Sequence, residues 1–472
     1  MLGTALRARL SQIEAHIDAL DSQLCVLRAE RITVAAELAG IVYPVLSLPN
    51  EITSEIFAHY VDDSNTHSPM RLTWTCKLWR EVAISTCRLW TCFRSHSVSL
   101  LPSWLLRAGH LTLDLHIPHR SRPEAQVVTA LLHRYSTRVR TLDVSVPLIR
   151  PAHTSVTLDG PFPSLESLCV DDEKGLTPPS SPLDAPRLRE VTFGEFPLTR
   201  WRDSLPWTQI TKLQLGTDVL NCLEVLSWTP HLENLSFDTT WESWAWLPST
   251  VTLPRLRTID FKSHDCTSLL GYIIAPALED LTMVLDSDAT EDSHILSELI
   301  ERSGCTLRTL NLHLWLVVAK GRLDSVLEHV PLQSLRELTL REPYGGENAL
   351  EELLHFLTPG DLLNPPLPSL ESLAIEGCQF HIRLDLVVDM LDSWMNESDK
   401  LRKFRLDFGT LWGTDAREDA EIFYQGEGSG IDAALDRLRD LHARGLEVDI
   451  QSTVKWSTGS VIEALRGGDC LI

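Results

Sequence analysis

His110, His116 and His119 are the first residues whose type and spacing could do chemistry, because imidazoles this close together can hold a zinc ion. Alternation with Leu111, Leu113 and Leu115 places His110 and His116 on the other face of a strand, and no carboxylate stands nearby at ligand spacing. Zinc is therefore not expected. Asp171-Asp172-Glu173 and Asp286-Ser287-Asp288 lack the oxygen-rich spacing and central glycine of a calcium loop, so they read as loop charges. The run Gly426-Glu427-Gly428-Ser429-Gly430 follows no clear strand and carries no lysine for a phosphate, which makes it a linker. Ten cysteines occur without a C-x-x-C pair. The nearest two, Cys87 and Cys92, flank Leu89-Trp90 and read as small core residues in reduced surroundings. No serine sits in a nucleophile elbow. The chain thus offers no catalytic residue, metal site or cofactor, and what remains is binding.

Binding needs elements that hold side chains in place, and the most informative ones lie between residues 46 and 90. Leu48-Pro49-x-Glu51-Ile52-x-x-x-Ile56-Phe57 is followed by Cys76-Lys77-x-Trp79-Arg80-x-x-Ala83 and then Leu89-Trp90. Pro49 suits a first helical position, and Glu51 suits a first turn, where the helix dipole favours negative charge. Ile52, Ile56 and Phe57, with Tyr60 and Val61, recur at helical spacing and predict one apolar face that must be covered. Cys76, Trp79 and Ala83 form a second helical stripe, and Leu89-Trp90 reads as a latch. About 45 residues bury little surface alone, so the module should lean on a neighbour or a partner.

This order of residues resembles an F-box. The resemblance implies a small all-α bundle that docks a Skp-type adaptor, and through it a cullin, with Leu48, Pro49, Ile52, Ile56, Phe57, Trp79 and Trp90 forming the adaptor-binding module. It covers roughly a tenth of the chain. One departure is the polar stretch Asp62 to Pro69, read as a loop where many F-boxes carry an apolar second helix.

Upstream, Leu6, Leu10, Ile13, Ile17, Leu20, Leu24, Leu27, Val34 and Leu38 follow an alternating four-and-three spacing, interrupted only by Arg31. That is a coiled-coil seam. It serves either self-association through residues 6–38 or docking onto the protein's own helical module or repeats.

Beyond residue 138 one unit returns: an aliphatic residue, two variable positions, an apolar residue, one variable position and another apolar residue. Leu165-x-x-Leu168-x-Val170, Leu232-x-x-Leu235-x-Phe237 and Leu335-x-x-Leu338-x-Leu340 are examples, and successive starts lie 22 to 35 residues apart. The period-two portion predicts a short strand in each unit, and helical segments such as Gln126 to Tyr135, Val219 to Trp228, Asp292 to Ser303, Gly346 to Leu357 and Leu384 to Met395 lie between them. The pattern is similar to irregular leucine-rich repeats, without the asparagine that usually follows the strand. Ile431 to Leu441 as a helix and Leu446, Val448 and Ile450 as a strand should cap the array.

The expected fold class is α/β: a leucine-rich-repeat solenoid with parallel strands concave and helices and loops convex, preceded by a small all-α F-box bundle and a long N-terminal helix. The expected organisation is 1–43 coiled-coil helix, 44–95 F-box-like module, 96–450 repeat array with its cap and 451–472 tail. Third, fifth and seventh positions of each unit should face the concave side. Candidate target-binding residues there are Lys212, Gln214, Asn234, Asp238, Asp260, Lys262, Asn311, His313, Glu337, Arg341 and Arg405. Trp241, Trp244 and Trp246 are a second candidate, more economically read as core.

With 42 Lys plus Arg against 65 Asp plus Glu, the net charge of -23 argues against a nucleic acid or an anionic membrane as partner. The N-terminus offers no unbroken apolar h-region, which argues against a secretory signal and for a cytoplasmic or nuclear protein. The expected function is substrate recognition in a cullin-RING (SCF-type) ubiquitin ligase. The alternative is a repeat scaffold or inhibitor that assembles proteins without a ligase.

Overall fold

The structure is a computed structural model. It describes residues 2–452 except 41–46, 63–68, 95–96, 118–121, 145–155, 159, 171–175, 180, 195–197, 240–249, 286–288, 315–331, 342–353, 356, 359–366, 379–383, 398–399 and 409–427. The chain divides into two compact units, one formed by 1–91 with 103–111 and the other by 92–102 with 112–472. The polar stretch 63–68, both acidic loops, most of Gly346 to Leu357, the three tryptophans 241, 244 and 246 and the tail beyond residue 452 lie outside the described residues.

The first unit is helical: α1 (Leu2–Gly40), α2 (Asn50–Asp62), α3 (Pro69–Thr75), α4 (Lys77–Ser85) and a 3-10 turn at Cys87–Trp90. Helix α2 starts one residue later than its proline suggested, with the Pro49 carbonyl accepting from the Thr53 amide at 3.0 Å. Helix α3 begins at Pro69, the last residue of the stretch read as loop, and supplies a short second helix that the sequence pattern does not show. Its seven residues are too few to show a period, yet Leu72 and Thr73 are buried. Cys76 caps α4, its sulfur accepting from the Trp79 amide. The inside is aromatic: Phe57 meets Trp79 edge-on at 4.9 Å, and Trp90, fully buried, meets Trp104 at 4.7 Å. The Trp90 indole N–H donates to the Ala83 carbonyl at 2.8 Å, and the Arg107 guanidinium covers the Trp90 ring.

Two expectations need correction here. The apolar residues of α2 do not share one covered face: Thr53, Phe57 and Ala58 point inward, whereas Ile52 and Ile56 are about half exposed. Phe57 follows Ile56 by one residue and so by about 100° of helix, which separates them. Nor is Cys87 a core residue. It is exposed at the start of the turn that directs Leu89 and Trp90 inward, and Cys92 is half-buried because its strand turns Phe93 inside. Among the described cysteines the buried thiols are Cys222, Cys266 and Cys305, each pushed above its usual range mainly by burial.

The second unit is built on one fourteen-stranded sheet whose order is that of the chain. The strands are β1 (Cys92–Arg94), β2 (Leu113–His116), β3 (Val139–Val144), β4 (Ser167–Val170), β5 (Glu190–Phe193), β6 (Lys212–Gly216), β7 (Asn234–Asp238), β8 (Thr258–Phe261), β9 (Asp280–Leu285), β10 (Thr309–Leu314), β11 (Glu337–Arg341), β12 (Ser372–Cys378), β13 (Lys403–Phe408) and β14 (Glu447–Ser452). Every neighbouring pair is parallel. Returns between strands include α5 (Leu101–Arg107), α6 (Arg122–Tyr135), α7 (Val219–Trp228), α8 (Ala289–Ser303), α9 (Leu384–Glu397) and α10 (Gly428–Ala443), together with shorter 3-10 turns such as His264–Tyr272.

Register follows the repeat unit. Leu213, Leu235, Ile259, Leu281, Leu310, Leu338, Leu373 and Phe404 form one continuous row across eight strands, each buried. The row of sixth positions beside it, from Val144 to Leu406, is equally buried. A shift of one residue would turn all of them to solvent, so burial pins the pairing. Strands β1 and β2 extend the ladder ahead of the first unit legible in the sequence. Helix α10 begins inside the glycine-rich run read as linker, because extending a nucleated helix by a turn costs far less than starting one.

No asparagine ladder follows the strands, and side chains of adjacent repeats satisfy some of the turn carbonyls instead. The Ser164 hydroxyl donates to the Thr137 carbonyl, Ser334 to Leu307, Ser263 to Thr239, and the Gln209 amide to Ala185 and Leu188. Each joins one repeat to the previous one, satisfying buried backbone where it would otherwise be costly.

Candidate protein-binding sites

In the first unit, the seven residues singled out in the sequence fall into two sets. Phe57 and Trp90 are core, at 1 % and 0 % exposure. Ile52 at 49 % and Ile56 at 47 % stand in water on successive turns of α2, with Tyr60 one turn further. Pro49 is exposed, and Leu48 and Trp79 are half-buried. Trp74 on α3, 69 % exposed, was not anticipated; it lies in the short helix whose period could not be read. The Arg88 guanidinium donates to both oxygens of Glu55 at 2.9 and 2.6 Å, tying the last turn back to α2. A small bundle with its own aromatic core thus keeps Ile52, Ile56 and Trp74 exposed. Such surface usually marks an interaction site.

In the second unit, alternate positions of each strand form the open face of the sheet. Lys212, Gln214, Asn234, Asp238, Lys262 and Glu337 are exposed there, while Asp260, Asn311, His313, Arg341 and Arg405 are half-buried. Asp260, Lys262, Asn311, His313 and Arg341 come together around a cavity of about 200 Å³, joined by Thr282 and the backbone-flanking Phe261 and Val284. The Asn311 amide donates to Thr282 Oγ1 at 3.1 Å, and Lys262 Nζ lies 2.5 Å from Asp260. Arg341 donates to Glu376 at 3.0 Å, and Arg405 reaches the same carboxylate at 3.8 Å and Asp449 at 4.0 Å. Glu376 and Asp449 were missed because each needs its neighbour's register to become a partner. Asp407 sits beside this network, and burial raises its carboxyl above the usual range. Lys212 instead lines a shallow cavity of about 430 Å³ with Glu166, Arg187, Arg189, Glu190 and Thr211. Lys262 with Asp260, and Arg341 and Arg405 with Glu376 and Asp449, set charges of both signs side by side on this face.

The histidine run is dispersed. His110 lies in the first unit and His116 in the second, and His119 is outside the described residues. His116 has the carboxylate that sequence spacing could not supply: Asp143, its register partner on β3, at 3.1 Å from Nδ1. Hydrogen bonds to Asp143 and Cys92 raise its pKa to about 9, against a smaller opposing effect of burial. Among the described residues no group of His, Cys, Asp and Glu could hold a metal ion, and no helix is long and apolar enough to cross a membrane.

No family model and no curated protein matches the chain. Two solved structures that align with it are the leucine-rich repeat-containing protein LegL7 from Legionella pneumophila and a protein from Bacteroides fragilis. The first is 13% identical at a TM-score of 0.33, covering 61% of this chain and 74% of its own. The second is 13% identical at 0.30, covering 64% and 70%. The second unit's own ladder, sequential parallel strands, one per repeat, with aliphatic rows inside, fits a leucine-rich-repeat sheet.

Proposed function

We propose that this protein is a non-catalytic substrate receptor of a cullin-RING (SCF-type) ubiquitin ligase. The helical module beginning at Leu48 docks a Skp-type adaptor, and the open face of the repeat sheet holds a target protein. The observation that carries the reading is the exposure of Ile52 and Ile56 on a module already closed around Phe57 and Trp90. A helix that keeps two isoleucines in water while its core is complete suits a partner surface better than a fold requirement. Leu48 and Pro49 lead into the same helix, and Trp79 braces it from α4. On the target side, the cavity bounded by Asp260, Asn311, His313 and Arg341 suits a polar segment of a folded protein or peptide.

Such a receptor works by proximity. Holding a target lysine near a charged conjugating enzyme raises its effective concentration, and the receptor supplies no acid, base or nucleophile. The test is capture of purified adaptor by the full chain, compared with Ile52→Asp plus Ile56→Asp and with Leu48→Ala plus Pro49→Ala. Capture by the wild type, lost in both variants at unchanged circular dichroism, supports the reading. No capture by the wild type overturns it in favour of a repeat scaffold or inhibitor.

A further inference from the structure

Helix α1 keeps its seam in water: from Leu10 to Val34 every aliphatic seam residue is 42 to 62 % exposed. A heptad stripe of this length, broken only at Arg31, is a surface built to be covered. We propose that its cover is α1 of a second copy of this chain, running antiparallel, with Leu20 of each copy across from Leu24 of the other. This stands apart from adaptor docking and does not depend on it.

Register and charge select the arrangement. With Leu20 facing Leu24, Leu6 falls across from Leu38 by position, so all ten seam positions are layered; sliding by one heptad leaves two outside. Arg31 decides between orientations. In a parallel pair it would face its own counterpart inside the seam, two cations in one layer. In the antiparallel pair it falls across from Ile13, where its aliphatic stem can pack while the guanidinium extends to solvent. The flanking positions agree. Arg9 falls across from Glu37, Glu14 from Arg28 and His16 from Glu30, each occurring twice by symmetry, against one like-charged meeting of Asp21 with itself. The parallel pair aligns only Arg9 with Glu14 and His16 with Asp21, and it carries the Arg31 clash. Flanking charges of this kind set partner orientation. The two chains then leave the rod at opposite ends, roughly 58 Å apart for a helix of this length.

Cysteine cross-linking of the full chain tests this, in a background where exposed Cys25 and Cys87 are changed by Cys25→Ser and Cys87→Ser. Ile13→Cys and Arg31→Cys are made separately. In the antiparallel pair, each new thiol lies roughly 27 Å from its own copy along the axis. Neither variant alone should form a disulfide-linked dimer on mild oxidation, whereas an equal mixture, exchanged before oxidation, should do so at least about ten-fold more. Light scattering of the unsubstituted chain should give twice the monomer mass. A monomeric mass at tens of micromolar overturns the proposal, and so does cross-linking of either variant with itself.

Discussion

Trp90 and Trp104 meet edge-on with ring centroids 4.7 Å apart, and both are buried. The pair closes the aromatic interior of the first unit with a residue from beyond the first strand of the sheet, on the helix α5 (Leu101–Arg107). Edge-to-face aromatic pairs of this kind contribute beyond the area they bury. Trp104→Ala should destabilise the first unit by about 3 to 5 kcal/mol, the usual cost of deleting a buried aromatic. Trp104→Phe should recover about half of that. Chemical denaturation followed by tryptophan fluorescence and circular dichroism checks both.

Neighbouring residues on α2 should behave in opposite ways. Ile52→Asp and Ile56→Asp change exposed side chains and should shift stability by no more than about 0.5 kcal/mol, whereas Phe57→Ala should cost about 3 to 5 kcal/mol. If Ile52→Asp instead unfolds the module, the division between core and surface proposed for adaptor docking fails.

His116 should titrate near pH 9, and Asp143→Asn should bring the midpoint down towards 6.5. The folded value is raised, so the stabilisation from its protonated form is complete below about pH 6.5 and is lost as pH rises through about 9. Proton-detected imidazole shifts in the two proteins measure it directly.

Glu279 lies between Arg257 at 4.0 Å and Arg308 at 3.9 Å, one step of a row in which arginine and glutamate recur beside the sheet. These are long, solvent-reachable pairs, so Glu279→Gln should cost no more than about 1 kcal/mol. Leu310→Ala, in the buried row beside it, should cost about 2 to 5 kcal/mol. Equal losses in thermal unfolding would show that the ion pairs matter as much to the sheet as burial does, and would overturn this ranking.

Thiol labelling should sort the cysteines. Cys25 and Cys87 should react with iodoacetamide in the native protein, whereas Cys222, Cys266 and Cys305 should react only after unfolding, since burial both hides them and disfavours the thiolate. Mass spectrometry of labelled peptides reads the difference.

The repeat sheet was legible because its signal is local and multiply repeated: each Leu-x-x-Leu-x-Leu unit names its own inward residues, and α7 spans the same Val219–Trp228 that periodicity marks out. Strand β2 shows in the alternation of Leu113 and Leu115 with His116, but β1 does not, since the three residues Cys92-Phe93-Arg94 carry too little pattern to stand out. Helix α3 was hidden for the same reason.

Sequence alone determined the parallel ladder, the long helix α1 with its apolar spacing and the presence of a short aromatic helical module, because each follows from hydrophobic spacing along one stretch of chain. Which of Ile56 and Phe57 enters the core, which carboxylate reaches His116 and which acids hold Arg341 and Arg405 were decided only when distant strands and helices met. Spacing specifies a face, but a partner across the sheet lies tens of residues away, and only packing and register choose it.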